Sequence, residues 1–310
     1  MLCGAGWVAP GCCMPPVSSS VPSPAAGPAL AARRLLDAVL YSSTWLALAA
    51  LGLTWATFLF WRVHIPAGLG GLIFAATLFL YNLDSVLPYK HQQAVGLSGR
   101  KRWMREHRRG LLVVALAALV VAGGLLLAEG WQRLLGFSSH LALISVLYSL
   151  PVVRVRGRWR ALRDFPLLKV FLIAYVWAAV TVWIPALYLG RPLAAPVVLA
   201  LFARRFLFIL ALAFVFDIRD YTKDRLTGTL TFPGAFGVRA TKLVALAALV
   251  AAAAIAPPGV SASAQLALLL PLAAAAAVIW LAHESRPDYY FALLADGVLL
   301  LQFVVAWLVL

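Results

Sequence analysis

Acidic residues are scarce in this chain, 11 Asp and Glu in 310 residues, and three stand in one run: Asp217-Ile218-Arg219-Asp220-Tyr221-Thr222-Lys223-Asp224. The spacing i, i+3, i+7 places their carboxylates within about 60° of one helix face, at roughly 100° per residue. Like charges stacked this way repel, and a carboxylate at the centre of a bilayer costs about 2.5–3.5 kcal/mol. A divalent cation offsets both penalties. Carboxylate oxygens suit Mg²⁺, which typically takes one or two carboxylates plus substrate phosphates and waters. The competing reading is a solvated helix end on which Arg219, Lys223 and Arg225 pair with the acids. A second polar insertion reads Tyr81-Asn82-Leu83-Asp84, followed by Pro88 and Lys90. Pro88 disfavours continued helix there.

The elements that carry these residues are apolar. Hydrophobic residues make up 64% of the chain and charged residues 12%. A soluble domain has about 45–50% and about 25%, so a water-soluble globule is excluded, and so is intrinsic disorder, which needs low hydrophobicity. An apolar stretch of about 20 residues crosses a bilayer as a helix. Nine such stretches occur, at 35–61, 69–87, 111–128, 134–153, 167–189, 203–221, 238–256, 265–282 and 289–310. Residues 192–201 are also apolar, but Arg204 and Arg205 interrupt that run, which places 192–201 in the interface. The expected fold is an all-α polytopic membrane protein with nine transmembrane helices. Residues 1–32 are expected to form a disordered tail and 33–310 the membrane domain. The tail holds Cys3, Cys12 and Cys13, all the cysteines of the chain, in a Pro/Ser/Gly/Ala-rich stretch. It lacks the basic and apolar regions of a secretory signal and implies no disulfide framework.

The net charge of +15 has two explanations, nucleic-acid binding or cationic loops at the cytoplasmic face of a membrane. With the N-terminus inside and the C-terminus outside, all Lys and Arg but Arg62, Arg133, Arg191, Arg204 and Arg205 fall on the inner side. That bias needs no nucleic-acid partner, and no zinc-finger or RNA-binding signature is present. The expected location is the plasma membrane of a bacterium, with the active site on the cytoplasmic face.

Parity then gathers the polar motifs. The second, fourth and sixth stretches all run outside to inside, so Asp84, the basic run 154–163 and the aspartates at 217–224 share one face. Acids able to hold a metal beside cations able to hold phosphate oxygens fit a lipid diphosphate, whose tail lies among apolar helices. Lys90, Arg154, Arg156, Lys169 and Lys223 are the candidate phosphate ligands. Tyr81, Asn82, Tyr148 and Tyr221 lie nearest to the motifs, and the plain role for each tyrosine is an interfacial anchor.

The run 217–224, followed by Arg225-Leu226-Thr227-Gly228-Thr229-Leu230-Thr231-Phe232-Pro233 and Phe236-Gly237, resembles the second aspartate-rich motif of the UbiA superfamily of intramembrane prenyltransferases. Tyr148-Ser149-Leu150-Pro151 with the following arginines resembles that family's element after its fourth helix. The resemblance spans roughly residues 35–310. It implies a nine-helix UbiA-like bundle and Mg²⁺-dependent transfer of an isoprenoid group from an allylic diphosphate to an aromatic or lipid-like acceptor. Asp217, Asp220, Asp224 and Asp84 would then be the catalytic, metal-holding carboxylates, and Tyr81, Asn82, Tyr148 and Tyr221 would line the prenyl or acceptor pocket, the tyrosine faces shielding a carbocation. The first family motif, NDxxDxxxD, is degenerate: with Asp84 on its middle aspartate, Leu80, Tyr81 and Pro88 replace the Asn and the outer aspartates. That departure motivates a second reading, a relative that no longer catalyses but binds an isoprenoid phosphate or handles lipids.

Asp296 stands alone in the last apolar stretch with Gly297 and Gln302 near it, either functional or fixing helix packing. The five histidines show no ligand spacing, and no P-loop, GxGxxG or GxSxG motif is present. A transporter is disfavoured, since acids at one end of a helix do not match sites at the bilayer midplane. A phosphatidyl-type transferase lacks its DGxxAR pattern here.

Overall fold

The computed structural model describes residues 27–87, 98–128, 132–150, 153–155, 158–162, 165, 167–226, 228–257 and 259–310. Residues 1–26, and with them the cysteines, lie outside that set, as do Lys90 and Arg156.

Fifteen helices, α1–α15, and one small hairpin can be followed along the described chain. The first apolar stretch does not run straight: α1 (Gly27–Tyr41) and α2 (Thr44–Phe60) meet at a 58° bend. Ser43 takes a left-handed conformation there, with φ of 62°, and the Ser42 and Thr44 hydroxyls bond each other at 2.8 Å. The Ser42 carbonyl freed at the break is taken by the Asn82 amide of the next apolar helix at 2.8 Å. Helix α1 also begins ahead of the domain boundary expected at residue 33.

Next come α3 (Ala67–Val86), the short basic α4 (Gly99–Glu106), α5 (Arg108–Ala128) and α6 (Gln132–Ser149). The basic run after α6 forms an antiparallel hairpin of β1 (Val153–Val155) and β2 (Arg158–Arg160), with Arg154 opposite Trp159. The fifth stretch is α7 (Leu168–Ala178), a π-helical turn (Ala179–Trp183) and α8 (Ile184–Tyr188). Pro185 has no N–H to give the preceding turn, which is where the ladder widens. Then follow α9 (Pro196–Arg219), α10 (Tyr221–Leu226), α11 (Phe232–Phe236) and α12 (Val238–Ala254). The chain ends with α13 (Ala262–Ala267), α14 (Leu270–Leu281), a second π-helical turn (Tyr290–Ala295) and α15 (Asp296–Val309).

Among the described residues six helical stretches are long and apolar enough to cross a membrane, and the bent pair makes a seventh if it is one span. The expected fourth and seventh crossings fold as the shorter helices α6 and α12. The expected start of the sixth is corrected. Arg204 and Arg205 do not mark its end; they are 3% and 1% exposed within the unbroken α9, which begins at Pro196. Their guanidinium groups are taken up by backbone and hydroxyl oxygens of neighbouring helices, which makes an intramembrane arginine tolerable.

Helix α9 is the spine of the bundle. It packs on α7 and α12, while α2 packs on α3 and on α15, which brings the first and last long apolar helices of the described chain together. Phe58, Phe208, Phe214 and Phe291 fill the shared core. Helix α5 lies at the periphery against α3 and exposes Val113, Leu116, Val120 and Leu127. In water such a face would be a large apolar patch; in a bilayer it faces acyl chains.

Candidate active site

The three aspartates do not lie on one continuous helix. Helix α9 ends at Arg219, Asp220 caps it with φ −90° and ψ 7°, and α10 restarts at Tyr221. This corrects the single carboxylate face expected from the i, i+3, i+7 spacing: the helix breaks at the second acid, Asp220, and each takes its own surroundings. Asp217 is buried and accepts from Lys169 Nζ of α7 at 2.8 Å. Asp220 accepts from its neighbour Arg219 through two bonds, Nε at 3.2 Å and Nη2 at 2.9 Å. Asp224 is buried too, and its N–H donates to the Asp220 carbonyl at 2.8 Å, holding the two one turn apart.

These groups form one electrostatic cluster. Lys169 faces all three aspartates as well as Tyr148 of α6. Lys223 acts on Asp220 and Asp224. Burial works against the charge on Asp220, but Arg219, with Lys169 and Lys223, outweighs it and holds the carboxyl well below the usual carboxylate range. At Asp224 burial prevails, with Asp220 and Asp217 adding to it, and pushes the carboxyl above its ordinary value. The same sequence motif therefore holds one carboxyl below and one above the ordinary carboxylate value.

Two cations that the sequence offered only as topology signals belong to this cluster. Arg100 and Lys101 open α4, after Ser98 caps it by accepting from the Lys101 N–H. The Arg100 N–H donates to Asp288 Oδ2 at 2.9 Å, which brings α4 against the segment leading into the last crossing. Burial, then the nearby Arg219, lowers the Arg100 pKa; burial, then Lys223, lowers that of Lys101. Arg100 and Arg219 are also the cations that face Asp296, at the start of α15. Asp296 is thus part of the ionic cluster rather than an isolated acid between helices. Nothing in the local sequence at 99–106 distinguishes these two cations from the other basic residues of that segment; only the fold turns them inward.

The remaining candidates divide. Tyr81 of α3 accepts from Trp177 Nε1 at 2.8 Å, and the rings meet edge to face at 6.4 Å. Tyr81 also lies within electrostatic reach of Tyr148, Asp84 and Asp296, so this aromatic pair borders the cluster. Nothing in the local sequence marks Trp177, which adjoins no polar motif. Asn82 does not line a pocket as expected. It is fully buried, and its amide donates to the Ser42 and Leu78 carbonyls at 2.8 and 2.9 Å, tying α3 to the α1–α2 bend. Tyr221 is engaged with Arg225, whose guanidinium sits 5.6 Å from its ring centre. Arg154 is exposed on the hairpin.

Among the described residues no group of three or more His, Cys, Asp or Glu converges as a metal cage. Mg²⁺ needs only one or two carboxylates when substrate phosphates complete its shell. Asp220 and Asp224, all-oxygen donors one turn apart, fit that lesser requirement, Asp220 by exchanging Arg219 for the ion from its partly exposed position; Asp217 is enclosed and held by Lys169.

No family model matches the sequence, and no curated protein matches it. In three dimensions the chain is similar to a solved structure of digeranylgeranylglyceryl phosphate synthase, a membrane enzyme, at 13% identity and a TM-score of 0.49, over 88% of this chain and 98% of that one. A likeness of that size assigns no residue. The site rests on its own geometry.

Proposed function

We propose that the chain is an integral-membrane prenyltransferase that moves an isoprenoid group from an allylic diphosphate to an aromatic or lipid-like acceptor. The observation that carries this reading is the interleaving of Asp217, Asp220 and Asp224 with Lys169, Arg219, Lys223, Arg100 and Lys101 beside the Tyr81–Trp177 pair. Diphosphate with its counter-ion is a ligand that uses both signs of charge at once, and an aromatic wall suits what remains after it leaves.

Asp220 and Asp224 would hold Mg²⁺, which supplies charge neutralisation to a leaving diphosphate. Lys169, Arg219, Arg100, Lys101 and Lys223 bind and orient the phosphate oxygens, stabilising the charge that develops as the allylic C–O bond breaks. The electron pair of that bond stays with the diphosphate. The Tyr81 and Trp177 rings shield the carbocation until the acceptor attacks it and gives up a proton. We read α6, α12 and the bent α1–α2 pair as crossings beside the six longer ones. That gives nine, N-terminus inside and C-terminus outside, with the site at the cytoplasmic face.

A second reading has its own observation. Asp217 and Asp220 are already paired with Lys169 and Arg219, as they would be in a relative that binds an isoprenoid phosphate without reacting it. One experiment separates the two. Purified protein is incubated with allylic diphosphates of several chain lengths and candidate acceptors, with and without Mg²⁺, and products are read by mass spectrometry. A prenylated acceptor with release of diphosphate, abolished by EDTA, is the expected result. A copurifying isoprenoid phosphate with no product at any chain length would establish the second reading.

A further inference from the structure

The opposite end of α9 carries a feature that prenyl transfer does not use. Arg204 and Arg205 are nearly fully buried, and among the described residues no carboxylate lies within salt-bridge distance of either. Arg204 Nη1 donates to the Ala252 and Ile255 carbonyls at 2.9 and 2.8 Å, at the C-terminus of α12. Arg205 Nη1 donates to the Leu53 carbonyl at 2.9 Å and to Thr181 Oγ1 at 3.3 Å. A helix C-terminus offers about half a unit of negative charge, and a guanidinium keeps its full charge in any protein. Two adjacent cations therefore remain under-compensated.

Donors are left over as well. Arg204 Nε has no acceptor, and neither does the buried Trp61 Nε1. Arg204 and Trp61 line the same narrow cleft, together with Ala200, Leu201, Ile255 and Pro257. Beside them the Arg191 guanidinium stacks 4.8 Å from the Trp61 ring centre, and Arg62 Nη2 donates to the Gly259 carbonyl at 3.1 Å. The cleft has room for about one water-sized group. Excess positive charge, two unused N–H donors and an apolar rim describe an acceptor that is anionic, reaches in with one oxygen, and carries hydrocarbon that stays outside.

We propose that this cleft binds the phosphate of an anionic glycerophospholipid from the leaflet at that end of the bundle, with a phosphate oxygen accepting from Arg204 and Trp61 as their side chains turn toward it, since both nitrogens are closed off in this structure. The site lies about 20 Å along α9 from Asp217, at about 1.5 Å per residue, and is separate from the aspartate cluster. A whole free phosphate ion is too large for the cleft, whereas a lipid inserts one oxygen and lays its chains along Val197 and the neighbouring apolar surface, which are exposed.

The test is native mass spectrometry of the full chain released from nanodiscs containing equal parts phosphatidylglycerol and phosphatidylcholine. Ala200→Phe fills the cleft and leaves the Arg204 bonds to α12 in place; Arg204→Gln removes the charge. The wild-type chain is expected to retain one more phosphatidylglycerol than either variant. Its preference over phosphatidylcholine at that position is expected to exceed theirs by about tenfold, the size of one charge-assisted hydrogen bond. Should Arg204→Gln fail to fold, Ala200→Phe carries the test alone. Equal retention in the wild type and Ala200→Phe would overturn the proposal. So would displacement of the retained lipid by inorganic phosphate, which would make this a site for free anions.

Discussion

At the aspartate end of the bundle Lys169 pairs with Asp217 and Arg219 with Asp220, whereas further back along the same helix Arg204 and Arg205 are buried facing only carbonyl and hydroxyl oxygens. The contrast reflects what a helical bundle has to spare. A carboxylate only accepts, and helix interiors have spent their N–H donors, so buried acids must bring cations with them. A guanidinium only donates, and a helix can supply it with carbonyls freed at a C-terminus, as for Arg204, or with the second lone pair of a mid-helix carbonyl, as Leu53 does for Arg205. Arginine can therefore be buried without an acid, where Asp217 could not be buried without Lys169. The first arrangement leaves a polyvalent site of both signs; the second leaves a positive one.

Stability measurements can break that contrast. Lys169→Met strands a buried carboxylate and should cost about 3–5 kcal/mol, most of it recovered when Asp217→Leu is added. Denaturation of the single and double variants in detergent checks both values. Arg205→Met removes a buried charge that has no acid to strand, so it should fall within about 1 kcal/mol of wild type in the same assay. A loss as large as that of Lys169→Met would mean that Arg205 has an anionic partner after all. The smallest effect is on pH dependence. Asp220 titrates below its unfolded value of 3.8, so its contribution is complete above that pH and is lost as pH falls through the folded value. Asp224, pushed above 3.8 by burial, acts in the opposite sense, its penalty appearing as pH rises past 3.8. Asp220→Asn should therefore flatten the acid limb of the thermal-stability profile, and Asp224→Asn should not.

Much of the architecture could be read from composition and run length, because apolar runs bounded by Arg, Pro and Gly have few ways to satisfy their backbones. The errors fell where polar residues sit inside such runs. Arg204 and Arg205 read as a boundary because charge ordinarily ends a crossing, and the carbonyls that hold them come from α2 and α12, far away in sequence. Ser42 and Ser43 gave little sign of a 58° bend because serine is tolerated in straight membrane helices as well. At the site, the aspartates and Lys169 were legible from type and spacing. Arg100 and Lys101 were not, since a basic loop looks the same whether it faces solvent or folds over a cluster. Nor was Trp177, one of 11 tryptophans, whose partner Tyr81 lies 96 residues away.

The central claim is that the carboxylates at the end of α9 act on a diphosphate. Its most direct test is the rate of diphosphate release from an allylic substrate with saturating Mg²⁺, comparing wild type with Asp224→Asn, a near-isosteric change of one acid. A fall of at least about 100-fold is expected, of the order seen when a single transition-state electrostatic partner is removed, with the folded fraction unchanged. Release at the wild-type rate in a folded Asp224→Asn protein would contradict it.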